Sequence, residues 1–124
     1  MIIYICSPLK AYGQLGMDQN IEAARRYSRT TALLGHFPLA PHLLLTQFLD
    51  DGSGAERQLG LRLGLEILPK CDAVWVFGKY LSSGMRGEIA LAADIGIPLS
   101  WWRDGIPWIG DADRGDELLR EIRC

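Results

Sequence analysis

Glu88 is an acid set among apolar residues. At about 100° per residue, a helix over residues 85–95 gathers Met85, Ile89, Leu91, Ala92 and Ile95 into one arc and turns Arg86, Gly87, Ala90 and Asp94 away; Glu88 falls inside the arc. A carboxylate facing a core loses several kcal/mol of solvation unless it has partners, so its position marks a cleft where a negative charge is wanted. The helix dipole favours an early acid by up to about 1 kcal/mol but does not choose its face. Six residues upstream, Ser82, Ser83 and Gly84 precede the same helix. Free backbone N–H groups and a partial positive charge there attract an anion, phosphate above all. A serine N-cap accounts for one of the two serines.

Other residues can join that cleft. Ser7 opens a loop over residues 7–17, and Lys10 within it either reaches the same anion or stays solvated. His42 follows Pro41 at a strand end and either contacts a substrate's base or is structural. Cys6 reads as a small buried hydrophobe rather than a nucleophile, and Asp72 as a strand cap at the far end from the cleft. Neither a Walker loop nor GxGxxG is present, so no dinucleotide or nucleoside-triphosphate loop is expected.

The elements that must hold these residues follow from short apolar runs alternating with helical patterns. Strands are predicted over residues 2–6, 37–40, 73–77 and 97–101. The first helix is predicted from a cap at Asp18 or Asn20 to Gly35, with Ile21, Ala24, Ser28, Thr31 and Ala32 inside and Arg25, Arg26 and Arg29 largely outside. Pro41-His42 is expected to break the second strand before a short helix over 43–49. A helix over 56–68 carries two leucine-rich stripes, one formed by Leu59, Leu63 and Ile67 and the other by Leu61, Leu65 and Leu68. One stripe can face a sheet, and the other needs a neighbouring segment or a second subunit. An aromatic turn over 102–110 and a terminal helix over 115–123 complete the chain. The expected fold is a three-layer α/β sandwich around a mainly parallel, flavodoxin- or Rossmann-like sheet of four to five strands, in a single domain over 1–124. In such sheets ligands bind beyond the strand C-termini.

Composition narrows the function. A net charge of -2 with no basic run gives no electrostatic footprint for nucleic acid. Three cysteines in no CxxC pattern argue against a disulfide scaffold and structural zinc, so neither metal nor cofactor is expected. No apolar run reaches the roughly 20 residues of a membrane span, and no signal-peptide pattern opens the chain; a cytoplasmic protein without membrane partners is the expectation.

The set Tyr4-Ile5-Cys6-Ser7-Pro8, Pro41-His42, Cys71-Asp72, Ser82-Ser83-Gly84-Met85-Arg86-Gly87-Glu88 and Gly96-Ile97-Pro98 resembles the nucleoside 2-deoxyribosyltransferase superfamily. Within it, the chain is most similar to the small DUF4406-like proteins common in phages and prophages. The resemblance implies that Glu88 attacks the anomeric carbon of a deoxyribose while Tyr4 holds its carboxylate. It also implies a pocket completed across subunits, hence a homodimer or larger homo-oligomer. Nucleoside transferases of the superfamily have an aspartate where this chain has Ser82. Serine there is similar to the nucleotide-hydrolysing branch, with a 5′-phosphate at the helix N-terminus and Lys10 in place of that branch's arginine. An aspartate would repel a phosphate, whereas a serine can donate to it. Members also carry a second acid where this chain has Gly64; Glu56 or Glu66 on the same helix could replace it.

The expected activity is therefore cleavage of the base–sugar bond of a nucleoside 5′-monophosphate, as an N-glycosidase or 2-deoxyribosyltransferase, with Glu88 as nucleophile and Tyr4 orienting it. Ser7, Lys10, His42, Ser82, Ser83 and Gly84 are expected to bind substrate. The alternatives are a non-catalytic nucleotide-binding or sensing module, favoured by Gly64, and cleavage of NAD-type glycosidic bonds.

Overall fold

The computed structural model describes residues 1–9, 13–78, 80–103 and 106–107. Its centre is β1 (Ile2–Cys6), a run whose residues after Ile2 are all buried. A short strand buried on both faces must sit in mid-sheet, and β1 does. It pairs in parallel with β2 (Phe37–Leu39) on one side and β3 (Ala73–Val76) on the other. β4 (Leu99–Arg103) continues the parallel sheet beside β3, and β5 (Ile106–Pro107) turns back antiparallel on β4. The spatial order is β2-β1-β3-β4-β5, so the chain leaves β1 in one direction and returns to its other side. That reversal opens a crevice beyond the C-terminal ends of β1 and β3.

Strand alternation divides the core into two faces. Tyr4, Cys6, Val74 and Val76 point to one face, where Leu68, Met85, Ile89 and Ala92 cover them. Ile3, Ile5 and Ala73 point to the other, with Phe77 and Trp102. On that second face Tyr27 of α1 (Gly13–Leu33) stacks on Phe77 with ring centroids 4.5 Å apart. The first face is covered by α3 (Gly54–Ile67) and α4 (Ser83–Ile95). These layers are the mixed α/β sandwich read from the sequence.

Three element starts differ from the sequence reading for a visible local reason. Helix α1 starts at Gly13, so neither Asp18 nor Asn20 caps it; Gly13 and Gly16 are helical despite a cost of about 1 kcal/mol each, which a 21-residue helix absorbs. On its inner face Ala24 and Thr31 are buried, whereas Ala32 is exposed. Pro41 does not end an element but begins one: α2 (Pro41–Leu44) has proline at its first position, where no N–H is needed, followed by a 3-10 turn over Leu45–Gln47. Helix α4 ends in a left-handed Gly96, and the N–H of Ile97 still returns to the Ala92 carbonyl at 2.9 Å. That bond uses up Ile97, so β4 begins at Leu99 rather than 97. Ile95, expected in the apolar arc, is 47% exposed because the helix has passed the sheet by then.

Asp72 caps the sheet as expected, its carboxylate accepting from the Ile2 N–H at 2.7 Å. The turn expected over 102–110 lies mostly, and the helix over 115–123 entirely, outside the described residues.

Two contacts bind the loops after β1 and β3 together at the cleft. Asn20 donates to the Leu9 carbonyl and to the Tyr80 hydroxyl, both at 3.1 Å. Gly78, at φ 107°, lies so close to Pro8 that a β-carbon would meet the proline ring at 2.8 Å. Both the dihedral and the contact exclude other residues. Gly78→Ala is therefore expected to lower unfolding free energy by roughly 2 kcal/mol, read as an earlier thermal midpoint.

Candidate active site

Helices α3 and α4 both precede parallel strands on one face of the sheet, so both present their N-termini to the crevice. The crevice holds about 810 Å³ of space, open solvent included. Its floor is Tyr4, Gly64, Met85 and Glu88; Ser7 and His42 line one wall, Leu45, Leu49 and Leu61 supply apolar surface, and Ser82, Ser83 and Gly84 stand at the mouth. The structure thus brings together every described residue singled out as a site candidate. Lys10 lies outside the described residues.

Glu88 reaches this floor because α4 is locked in rotation and start point. Ser82 is its N-cap, with its hydroxyl accepting from the Met85 N–H at 3.3 Å, and the Met85 sulfur accepts from the Ser82 N–H at 3.5 Å. Met85, Ile89 and Ala92 are buried against the sheet, and Glu88, one position before Ile89, is carried to the edge of that contact. The Tyr4 hydroxyl and the Cys6 thiol lie beside its carboxylate, where their polar hydrogens favour the charged form. Burial nevertheless pushes Glu88 up to about 7, against the pull of those two donors. The Tyr4 hydroxyl is in turn pushed well above the usual phenol range, by burial first and then by the Glu88 charge. The thiol of Cys6 is raised for the same two reasons, so both stay protonated and remain donors.

Gly64 is what gives Tyr4 its place. A β-carbon at that position would lie 3.0 Å from the Tyr4 hydroxyl oxygen, tighter than van der Waals contact, so any side chain there must displace the phenol. Of the two acids that could replace a missing one at Gly64, Glu56 lines the crevice and Glu66 does not. Glu56 sits at the mouth, two helical turns from Gly64, where its carboxylate accepts from the Asp50 N–H at 3.3 Å.

On the wall, Ser7 Oγ and His42 Nε2 are 2.8 Å apart. Burial lowers His42 to about 4, so at neutral pH it is an uncharged imidazole that can donate at one nitrogen and accept at the other. Ser82, although capping, keeps its own hydroxyl proton for a ligand.

Arg57 was not found from the sequence. Among the described residues it is the one cation lining the crevice. Its placement follows from packing: Leu61 of α3 lies against Gly84, where a β-carbon would meet Leu61 Cδ2 at 3.2 Å. One turn earlier on α3, about 6 Å along its axis, Arg57 lines the same crevice as the α4 N-terminus. The usable signal was the spacing Arg57, Gly60, Leu61, Gly64, one face of a helix with two bare positions. Among the described residues, no group of three His, Cys, Asp or Glu side chains could hold a metal ion.

The family model "Domain of unknown function (DUF7768)" matches residues 1–102, and the chain belongs to that family. None of the curated proteins matches it. Among solved structures, the chain is similar to a 2-deoxyribosyltransferase from the psychrotolerant bacterium Bacillus psychrosaccharolyticus, with a TM-score of 0.60 and 22% identity over 83% of this chain and 72% of that one. The likeness establishes a shared fold. No helix among the described residues is long and apolar enough to cross a membrane.

Glu88 also fixes a stability signature. Its folded value near 7 exceeds that of an unfolded glutamate, so the fold loses stability as pH rises from about 4.5 to about 7, by on the order of 3 kcal/mol. Glu88→Gln is therefore expected to melt several degrees above wild type at pH 8, with the gain gone by about pH 4.5. Equal melting points at both pH values would contradict the buried, ionising carboxylate.

Proposed function

We propose that this protein cleaves the base–sugar bond of a nucleoside 5′-monophosphate, as an N-glycosidase or 2-deoxyribosyltransferase, with Glu88 as nucleophile. The observation that carries this reading is a buried carboxylate beside the Tyr4 hydroxyl, in a cleft that is also lined by a helix N-terminus and Arg57. Glu88 lies five residues into α4, about 7 Å along the axis from Ser83, a span suited to a sugar between its anomeric carbon and a 5′-phosphate. The likeness to a 2-deoxyribosyltransferase agrees with it at the level of fold. The same reading takes in the motif resemblance to the DUF4406-like phage and prophage proteins.

In this mechanism a carboxylate oxygen of Glu88 bonds to the anomeric carbon as the bond to the base nitrogen breaks. The electron pair leaves with the base, which takes up a proton. Water, or a second base, then attacks the same carbon, gives up its proton and releases Glu88. Tyr4 orients the carboxylate; Ser7 and His42, uncharged and amphoteric, contact the base. The phosphate lies against Ser82, Ser83, Gly84 and Arg57, with Lys10 as a further counter-charge. The leucines Leu61 and Leu65, each 37% exposed, support a homodimer or larger homo-oligomer, which light scattering at micromolar concentration tests.

The test is free-base release from a panel of nucleosides, their 5′-monophosphates and a nicotinamide mononucleotide. Monophosphates are expected to be the substrates, and the rate to rise with pH to a plateau above about 7 as Glu88 ionises. Glu88→Gln is expected to lower it by roughly 10³-fold or more, about 4 kcal/mol in the barrier. Arg57→Gln is expected to raise KM for monophosphates with little change for nucleosides. Release unchanged in Glu88→Gln would overturn the proposal. A second reading, a nucleotide-sensing module, is favoured by the bare Gly64; calorimetric binding without any release would establish it in place of the first.

A further inference from the structure

Cys6 is fully buried on the same face of β1 as Tyr4, two residues away, and neither the fold nor the proposed chemistry has given its sulfur a task. Strand alternation sets the two side chains about 7 Å apart along the strand, on the face that Met85 and Ile89 cover. Glu88 lies between those two helix residues in sequence and lines the cleft beside Tyr4. The thiol lies close enough to that carboxylate to favour its charged form. A buried carboxylate has several lone-pair sites, and a single phenol leaves the headgroup free to rotate about its last bond.

We propose that Cys6 is a positioning residue for Glu88: its S–H and the Tyr4 O–H form a two-point clamp that fixes the carboxylate plane and leaves one oxygen facing the cleft. As a role in a reaction it rests on the function proposed above; as a statement about Glu88 it does not. Among the described residues, the other ionisable groups around the clamp are Cys71 beyond Tyr4, His42 on the wall, and Asp51, Glu56 and Arg57 at the mouth. None of these supplies Glu88 with a hydrogen bond. A thiol suits the place because it packs as a small hydrophobe in a sealed core and still carries one donor. It is also held protonated by its surroundings, so it neither ionises beside Glu88 nor competes as a nucleophile.

The test follows Glu88 itself by carbon-13 NMR of protein labelled at glutamate side chains, in wild type, Cys6→Ala and Cys6→Ser. Removing the donor in Cys6→Ala is expected to move the Glu88 midpoint upward by roughly half to one pH unit, and Cys6→Ser, which keeps a donor, to restore most of it. If base release is observed, the alanine variant is expected to lower kcat by about tenfold at neutral pH with KM nearly unchanged. A second measurement needs no change at Cys6: the Raman S–H stretch of one thiol is expected to shift to lower frequency as pH crosses the Glu88 midpoint, and to be pH-independent in Glu88→Gln. An unshifted Glu88 midpoint in Cys6→Ala, or no thiol band that follows Glu88, overturns the clamp. Failure of base release overturns the proposed function and leaves these two spectroscopic outcomes to decide the clamp.

Discussion

The arrangement depends on the cost of placing the Glu88 carboxylate out of water and on how far two neutral donors offset it. A carboxylate with a strong cation beside it would be held fully ionised and inert. One with no partner would be protonated across the neutral range. Tyr4 and Cys6 bring polar hydrogens without charge, so burial still dominates and pushes Glu88 up to about 7. That balance gives an anion that is weakly solvated and therefore reactive, at the expense of the fold's stability above neutral pH.

Much of the molecule serves that balance. The parallel sheet places Tyr4 and Cys6 on one face of β1, and the burial of Met85, Ile89 and Ala92 sets the rotation of α4 that brings Glu88 over them. Gly64 leaves room for the phenol, and Gly84 lets Leu61 approach so that α3, with Arg57, lines the same crevice as the α4 N-terminus. Gly78 and Asn20 draw the loops after β1 and β3 together around the mouth. The cleft thus has a charge-poor floor, as the proposed covalent chemistry at a dehydrated nucleophile requires, and a polar mouth where an anion can be held.

The parts legible in the sequence were those governed by repeat and by the cost of burying charge. Short apolar runs gave four of the five strands, and the spacing of Met85, Ile89 and Ala92 exposed Glu88 as an acid on an inner face. Element starts and ends were less legible where a local bond outranks the pattern: the Gly13 start of α1, Pro41 as the first residue of α2, and Ile97 used by the α4 cap. The Cys6 thiol was hidden because a small apolar run reads the same whether or not one member donates a hydrogen bond. Arg57 was hidden because a basic residue on a helix looks solvated until the neighbouring helix is known. Tyr4 entered only by resemblance; alternation along β1 put it beside Cys6, and Gly64 explains why it can stay there.

The central claim is that Glu88 bonds to a sugar carbon. The most direct measurement is intact-protein mass spectrometry after incubation with 2′-fluoro nucleoside 5′-monophosphates, in which fluorine slows the second, water-consuming step more than the first when both pass through an oxocarbenium-like state. A mass gain of one fluorinated sugar phosphate, mapped by peptide sequencing to Glu88 and absent in Glu88→Gln, is the expected result. A base released with no adduct at Glu88, or an adduct on another residue, would contradict the account.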